Sequence, residues 1–376
     1  MEEALKEILK IDKTDWIPLK FGDVVFEPKE NAKDIYNEGI EHVVGLEHID
    51  SENIHLTRSG VLEETTTFSK KFSKGDVLFG RRRAYLKKAA LVSFDGICSG
   101  DITIFRATKD LLPELLPFIV NNEKFFDHAI KHSAGGLSPR VKFKDLANYE
   151  FLLPPKDQQT KLAELLWAMD EVIEKEEEVL KQADYLFKSK AKFIADNHRH
   201  KGEYKKIEDV CLIKDNLRKP INSSERDKMK GKIPYYGANG LVDYLNDFIF
   251  DEDLVLVAED GGNFNEFYSK EIAYKISGKS WVNNHAHVLA IRGNTISIDW
   301  LYYSLVHKNI LKYIIGTTRL KLNKSELENI LLWVPNDRIM EILSIEMKEI
   351  EDVRIITNSK TVSSKALQKS LINQIF

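Results

Sequence analysis

LLPFIVNNEKFFDHAI (Leu115–Ile130) and WLYYSLVHKNILKYII (Trp300–Ile315) are one segment written twice, 185 residues apart, with apolar positions coinciding at helical spacing. Further matches follow in the same order. Phe21-Gly22-Asp23-Val24 resembles Ile207-Glu208-Asp209-Val210. A Gly-rich basic loop comes after each long match, Gly135-Gly136 through Arg140 and Lys142, and Gly316 through Arg319 and Lys321. Then come Leu146-Ala-Asn148 and Leu327-Glu-Asn329, a short strand, and a proline at 154 or 335. Ordered weak matches of this kind indicate an internal two-fold repeat.

Each copy runs into a long helix. After Pro155, Asp157 is the expected N-cap, and apolar residues recur at Leu162, Leu165, Met169, Val172, Val179, Ala183, Leu186 and Phe193 in one heptad frame. After Pro335, Asp337 is placed as the cap, and Leu343, Ile350, Val353, Leu367 and Leu371 form a looser seam. About 40 residues at ~1.5 Å each give helices of roughly 60 Å. Only a short polar link, Asn197 to Glu203, joins the first helix to the second globular segment. That connection requires the two helices to run antiparallel, with a globular domain at each end and a pseudo-two-fold between them. The expected class is α+β: two similar mixed α/β domains joined by two long antiparallel helices in a coiled coil. The boundaries are 1–155, 156–200, 201–335 and 336–376. Strands are expected at Val77–Phe79, Ala89–Phe94, Ile102–Phe105, Leu254–Ala258 and His287–Ile291, with one helix per copy at 114–130 and 299–315.

The 376 residues carry 55 Lys/Arg against 59 Asp/Glu, a net charge of −4 that gives no global attraction to nucleic acid. The distribution differs from the total. Residues 70–88 hold eight basic residues and one acid, Asp76; residues 131–144 and 308–324 hold basic residues and no acid. Local basic patches suffice for phosphate, which responds to the local field. No apolar run reaches the ~18–20 residues that span a bilayer, and the acidic amphipathic start is unlike a secretory signal. The chain reads as cytoplasmic, without a membrane role.

Catalytic motifs are missing. There is no phosphate-binding G-x-x-x-x-G-K-[ST], no G-x-G-x-x-G turn and no Asn-Pro-Pro-Tyr-type tetrapeptide of amino-methyltransferases. Asp23, Glu27 and Lys29 are spaced too tightly for a nuclease metal site. His285 and His287 share one strand face but lack further identifiable ligands, and Cys98 and Cys211 read as core. Recognition features are stronger. Tyr235, Tyr236 and Asn239 sit in an aromatic–amide–glycine turn, Asp260 and Asn263 in a polar loop after a strand, and Asn284 and His285 just beyond. Arg81, Arg82, Arg83 and Lys87, with Arg140 and Lys142 in the first copy and Arg319, Lys321 and Lys324 in the second, are expected to contact DNA phosphate.

The segments IPYYGANGLVDYL (233–245), AEDGGN (258–263), VNNHAHVL (282–289) and GTTRLKL (316–322) resemble a target recognition domain. LLPPKDQQTKLAELL (152–166) resembles the start of the spacer helix. Together they resemble the specificity subunit of type I restriction-modification enzymes over essentially the whole chain. That resemblance implies a non-catalytic subunit whose two recognition domains each read half of a split double-stranded DNA target, at a gap set by the coiled coil. It implies docking of two methyltransferase subunits that bring S-adenosylmethionine, and of restriction subunits that use ATP and Mg; this chain itself binds no cofactor. The alternative reading is a fused modification or nuclease enzyme with an active site outside these motifs; a third is a protein-binding adaptor.

Overall fold

The computed structural model describes residues 12–62, 67–196 and 202–376. The first seven residues, read above as amphipathic, and most of the polar link (197–201) lie outside the described residues. The chain separates into two compact units: the residues up to Glu176 together with Lys360–Phe376, and Glu177–Ser359. Each unit therefore includes a stretch of both long helices.

In unit 1, β1 (Ile17–Lys20) leads into the single turn α1 (Phe21–Val24), where Asp23 accepts a hydrogen bond from the Lys20 amide at 2.8 Å. The strands β2 (Val25–Phe26), β8 (Ile102–Ala107), β5 (Val77–Gly80) and β6 (Ala89–Leu91) form, in that order, an antiparallel sheet. In a second sheet, β7 (Gly96–Cys98) lies between β3 (Val43–Val44), parallel to it, and β4 (Lys70–Phe72), antiparallel. The first sheet packs on α2 (Leu116–Val120) and α3 (Glu123–Lys131) through an aromatic core. There the Phe21 ring lies 5.1 Å from Phe105, edge to face, and 4.8 Å from Phe125, tilted, arrangements that suit ring quadrupoles. The helix expected at 114–130 is thus broken: the Asn122 side chain accepts from the Lys124 amide and caps α3 anew. A short α4 (Phe143–Leu146) precedes β9 (Glu150–Leu153), which pairs with β1, and α5 (Lys156–Ala195) follows.

Unit 2 repeats this plan. After β10 (Glu203–Lys206), Asp209 caps α6 (Ile207–Val210) through the Lys206 amide at 3.0 Å. The sheet order β11 (Cys211–Ile213), β18 (Ala286–Ile291), β15 (Leu254–Ala258), β16 (Ala273–Ile276) is that of β2-β8-β5-β6, again all antiparallel. Beyond α7 (Ser223–Lys228), β12 (Lys230–Gly237) runs parallel to β17 (Lys279–Val282), which pairs antiparallel with β14 (Phe250–Asp251). One strand is added here: β13 (Gly240–Leu245) makes a hairpin with β12. Then α8 (Ile298–Leu305), α9 (Lys324–Glu328), β19 (Leu331–Val334) and α10 (Asp337–Ile375) close the copy, β19 pairing with β10. The helix expected at 299–315 stops at Leu305, with a 3₁₀ turn at Leu311–Tyr313.

Neither expected cap holds its position. Asn336, not Asp337, accepts from the Ile339 amide at 3.0 Å; Asp157 lies inside the first turn of α5, where its charge suits the helix N-terminus.

The two helices pair within each unit. In unit 1 the opening turns of α5 (Leu162, Ala163, Leu166) share the core with the closing turns of α10 (Leu371, Ile372, Ile375). In unit 2 the closing turns of α5 (Phe187, Ala191, Ile194) pack with the opening turns of α10 (Met340, Met347), and Lys190 bridges Glu346 at 2.6 Å. The helices run antiparallel.

The seam itself corrects the expected frame. Leu162 and Leu371 are buried, and Leu165, Met169, Leu343, Ile350 and Leu367 are half-buried. Val172, Val179, Leu186, Phe193 and Val353 stand 44–51% exposed. The buried stripe of α5 is Leu166, Asp170, Ile173, Phe187, Ala191 and Ile194, a heptad frame displaced by one residue; Ala183, a member of the expected frame, is buried as well. It wins because its polar member is satisfied: Asp170, 5% exposed, meets His55 Nε2 at 2.6 Å. Val353 turns outward in favour of Arg354, which bonds Asp184 and lies 4.2 Å from the Phe187 ring centroid.

Candidate nucleic-acid interface

The same backbone frame carries a loop cluster in each unit. In unit 1 the Arg81 amide bonds the Asp101 carbonyl and the Val141 amide bonds the Arg81 carbonyl, both at 3.0 Å. In unit 2 the Glu259 amide bonds the His285 carbonyl and the Leu322 amide bonds the Glu259 carbonyl, both at 2.8 Å. Isolated bridges Arg82↔Arg140 and Ala134↔Arg140 in one unit match Asp260↔Lys321 and Ile315↔Lys321 in the other. These bonds set the equivalences: Arg82 with Asp260, Asp101 with His285, Arg140 with Lys321. The sequence pairing of Arg140 with Arg319 is therefore corrected: the two loops are equally long, but the Arg-x-Lys pattern stands two residues earlier in the second, so matching them by residue type slips the register. Gly135 and Gly316 open the two loops at φ +117° and +88°, a region open to glycine.

On that shared frame the side chains differ in sign. In unit 1 the Asp101 carboxylate holds two guanidiniums, Arg140 Nε at 2.7 Å and Arg82 Nη1 at 3.1 Å; Arg82 Nη2 also donates to Ser138 Oγ at 3.0 Å. In unit 2 Asp260 holds His285 Nδ1 at 2.8 Å and Arg319 Nη2 at 3.0 Å, while Glu259 holds Arg218 at 2.7 Å and Lys321 at 3.1 Å. Burial works to raise the pKa of Asp101, Glu259 and Asp260, but hydrogen bonds from their cationic partners outweigh it. All three carboxyls stay below the ordinary range.

The structure brings together most of the residues singled out in the sequence. Asn239 Nδ2 donates to the Gly261 carbonyl at 2.9 Å, tying the aromatic turn to the loop of Asp260 and Asn263, beside His285, exposed Asn284 and Arg319. Others lie elsewhere in role. Tyr235 is 2% exposed in a cluster with Leu245 and Trp281, so its ring is packing and not a reading surface. Tyr236 is half-buried against Tyr274, and Asn263 donates to the Glu271 carbonyl. Lys87 is ion-paired with Glu123, and Arg81 Nε bonds the Val141 carbonyl at 3.1 Å; both are engaged by the fold. Arg83, Lys142 and Lys324 are exposed around the clusters. Sequence reading missed Asp101 and Ser138. Nothing marks an acid in a Ser-Gly-Asp turn as the counterpart of a histidine until strand register is known.

Two groups have the composition of a metal site among the described residues, His55–Asp170–Glu174 and Asp215–Glu259–His287. The second already faces Arg218 and Lys321, cations that neutralise it. His287 is joined to Asp215 and the Leu322 carbonyl and not to His285. Asp23 is engaged as a cap and Glu27 pairs with Lys70 at 3.0 Å, so Asp23, Glu27 and Lys29 do not act as one cluster. Burial pushes both the Cys98 and Cys211 thiols up to about 12, far from nucleophiles.

A twice-used loop frame with exchanged donors and acceptors, set on paired helices, defines a duplicated recognition scaffold. The chain belongs to the family of the type I restriction modification DNA specificity domain, whose pattern matches residues 3–184 and 200–366. It is similar to a putative type I restriction enzyme specificity subunit of Haemophilus influenzae, 38% identical over 133 residues, 35% of this chain and 33% of that protein. It is also similar to the type I restriction enzyme EcoDI specificity subunit of Escherichia coli, 29% identical over 120 residues, 31% of this chain and 27% of that protein. The matches thus span about a third of the length of these curated relatives or less. The fold is shared with the S subunit of a type I restriction-modification system from M. genitalium, at TM-score 0.68, 14% identity and 98% coverage of both chains. A chain from a structure titled for complex assembly and conformational transition of the type I R-M system superposes at TM-score 0.56, with 18% identity, 96% of this chain and 97% of that one.

Proposed function

We propose that this chain is the DNA-recognition subunit of a type I restriction-modification complex and not itself an enzyme. Each unit reads one half of a bipartite double-stranded target through its loop cluster, and the paired helices set the separation of the halves. The observation that carries this reading is the shared loop frame with different side chains. One geometry presents Arg82, Asp101 and Arg140 in unit 1 and Asp260, His285 and Lys321 in unit 2. Two equal frames with unequal donors suit two different half-sites.

Two methyltransferase subunits, bringing S-adenosylmethionine, and restriction subunits using ATP and Mg are the partners of this reading, and the cytoplasm its compartment. Among the described residues no helix is long and apolar enough to cross a membrane. The exposed stripe Val172, Val179, Leu186 and Phe193 offers an apolar face to such subunits. The test is an exchange of residues 204–335 for the matching segment of a relative, followed by mapping of methylated positions. One half of the target changes and the other stays. A change in both halves, with the complex still assembled, overturns the proposal.

A further inference from the structure

We infer that Arg140 is a guanine-reading side chain of unit 1, in place of the phosphate contact expected from its charge; the inference rests on the DNA-recognition reading above. Arg140 Nε is fixed on Asp101 Oδ1 at 2.7 Å. Its two Nη groups have no partner among the described residues, and the side chain is 47% exposed. Its backbone is fixed as well, by paired bonds with Ala134 at 2.9 and 3.0 Å. An anchored Nε with a free terminal fork is the arrangement that meets guanine O6 and N7 with two parallel donors. Little rotamer freedom remains to be lost on binding.

Arg82 cannot take that part, since Nη1 is bound to Asp101 and Nη2 to Ser138. It occupies the second oxygen of Asp101 and so holds the carboxylate that aims Arg140: Arg82 and Asp101 are positioning residues. The electrostatics favour a base over a phosphate. Asp101 offsets half the charge of the two arginines, which weakens a non-directional phosphate contact and leaves a directional hydrogen bond intact. Leu137, 97% exposed on the same loop, adds an aliphatic surface that suits base edges better than the sugar–phosphate backbone. In unit 2 the equivalent Lys321 has no fork and is bound to Glu259, so a guanine at this register belongs to one half-site alone.

The experiment is selection from randomised duplex DNA by the full chain and by its Arg140→Lys, Arg140→Gln and Asp101→Asn variants, with salt titration of each. Wild type selects a bipartite motif. Arg140→Lys keeps the charge and removes the fork, so it loses preference for one G·C pair in one half by roughly 10- to 100-fold, with the other positions and the salt slope unchanged. Arg140→Gln loses the same preference, and Asp101→Asn weakens it. If Arg140→Lys retains the full motif, or Arg140→Gln weakens all sequences alike and lowers the salt slope by about one, Arg140 is a phosphate contact and the inference is wrong. A wild-type chain that selects no motif would overturn the DNA-recognition reading and this inference with it.

Discussion

Phe187 and Leu186 are neighbours on α5, and truncating each to alanine should destabilise the chain to very different extents. Phe187 is fully buried, its ring centroid 6.4 Å from Tyr302, 6.3 Å from Tyr303 and 6.2 Å from His307, with the Arg354 guanidinium 4.2 Å away. A buried Phe→Ala change costs about 3–5 kcal/mol, and loss of the cation–π contact adds ~0.5–2 kcal/mol. Arg354 would keep its ion pairs to Asp184 and to Glu271 at 3.3 Å, so the larger figure is an upper bound. Leu186 is 45% exposed. Half the value of a fully buried leucine, about 1 kcal/mol, is the most its truncation should remove. Urea unfolding of the full chain, with hydrogen exchange pulses scored on peptides of Glu177–Ser359, isolates unit 2 from a second transition. A larger loss for Leu186→Ala than for Phe187→Ala would refute the seam and restore the frame of Val172, Val179, Leu186 and Phe193.

Lys308 is buried with Nζ on the Ala195 carbonyl at 2.6 Å, and burial lowers its pKa from 10.5 to about 8. The unfolded chain therefore binds more protons than the folded one between those values, so stability should rise from pH 8 toward 10.5; that rise should vanish in Lys308→Met, as pH-dependent urea titrations would show. Cys98 and Cys211 should resist a maleimide in the native chain and react fully in denaturant, which mass spectrometry counts; rapid native labelling of either would contradict their burial. At Gly316, with φ +88°, a Cβ would collide with the Arg319 carbonyl oxygen. Gly316→Ala should weaken DNA binding with circular dichroism unchanged, whereas Gly136→Ala, which meets open space, should be neutral.

The repeat was legible because burial repeats with it. Phe21 and Ile207, Val141 and Leu322, Leu146 and Leu327 are all fully buried pairs, and apolar identity survives wherever the core demands it. Helix ends were less legible, since Asn122 and the break after Leu305 depend on which turn the body covers. The seam misled for a definite reason. Heptad counting rewards apolar residues, and α5 has two apolar stripes; the buried one includes Asp170, whose partner His55 lies 115 residues away. No local pattern announces that pairing. Tyr235 misled in the opposite way, as an aromatic in a glycine-rich turn that strand pairing with Trp281 takes inside.

Polar positions of the reading loops were the least legible, and their energetics say why. Along the shared frame, backbone amides and carbonyls bond one another, and fully buried Val141 or Leu322 anchors the loop. None of those interactions depends on what stands at 82, 101 and 140, or at 260, 285 and 321. The side chains there depend on each other instead. Placing the unit 2 acid alone at position 82 would set two carboxylates together at Asp101, where each now needs a cation. Exchange must therefore occur in sets that keep opposite charges paired, as Arg–Asp–Arg stands against Asp–His with Arg319 and Lys321. A frame indifferent to its side chains, holding side chains that change only together, lets one fold carry two different recognition surfaces. The same independence hides those surfaces from any comparison that weighs residues one at a time.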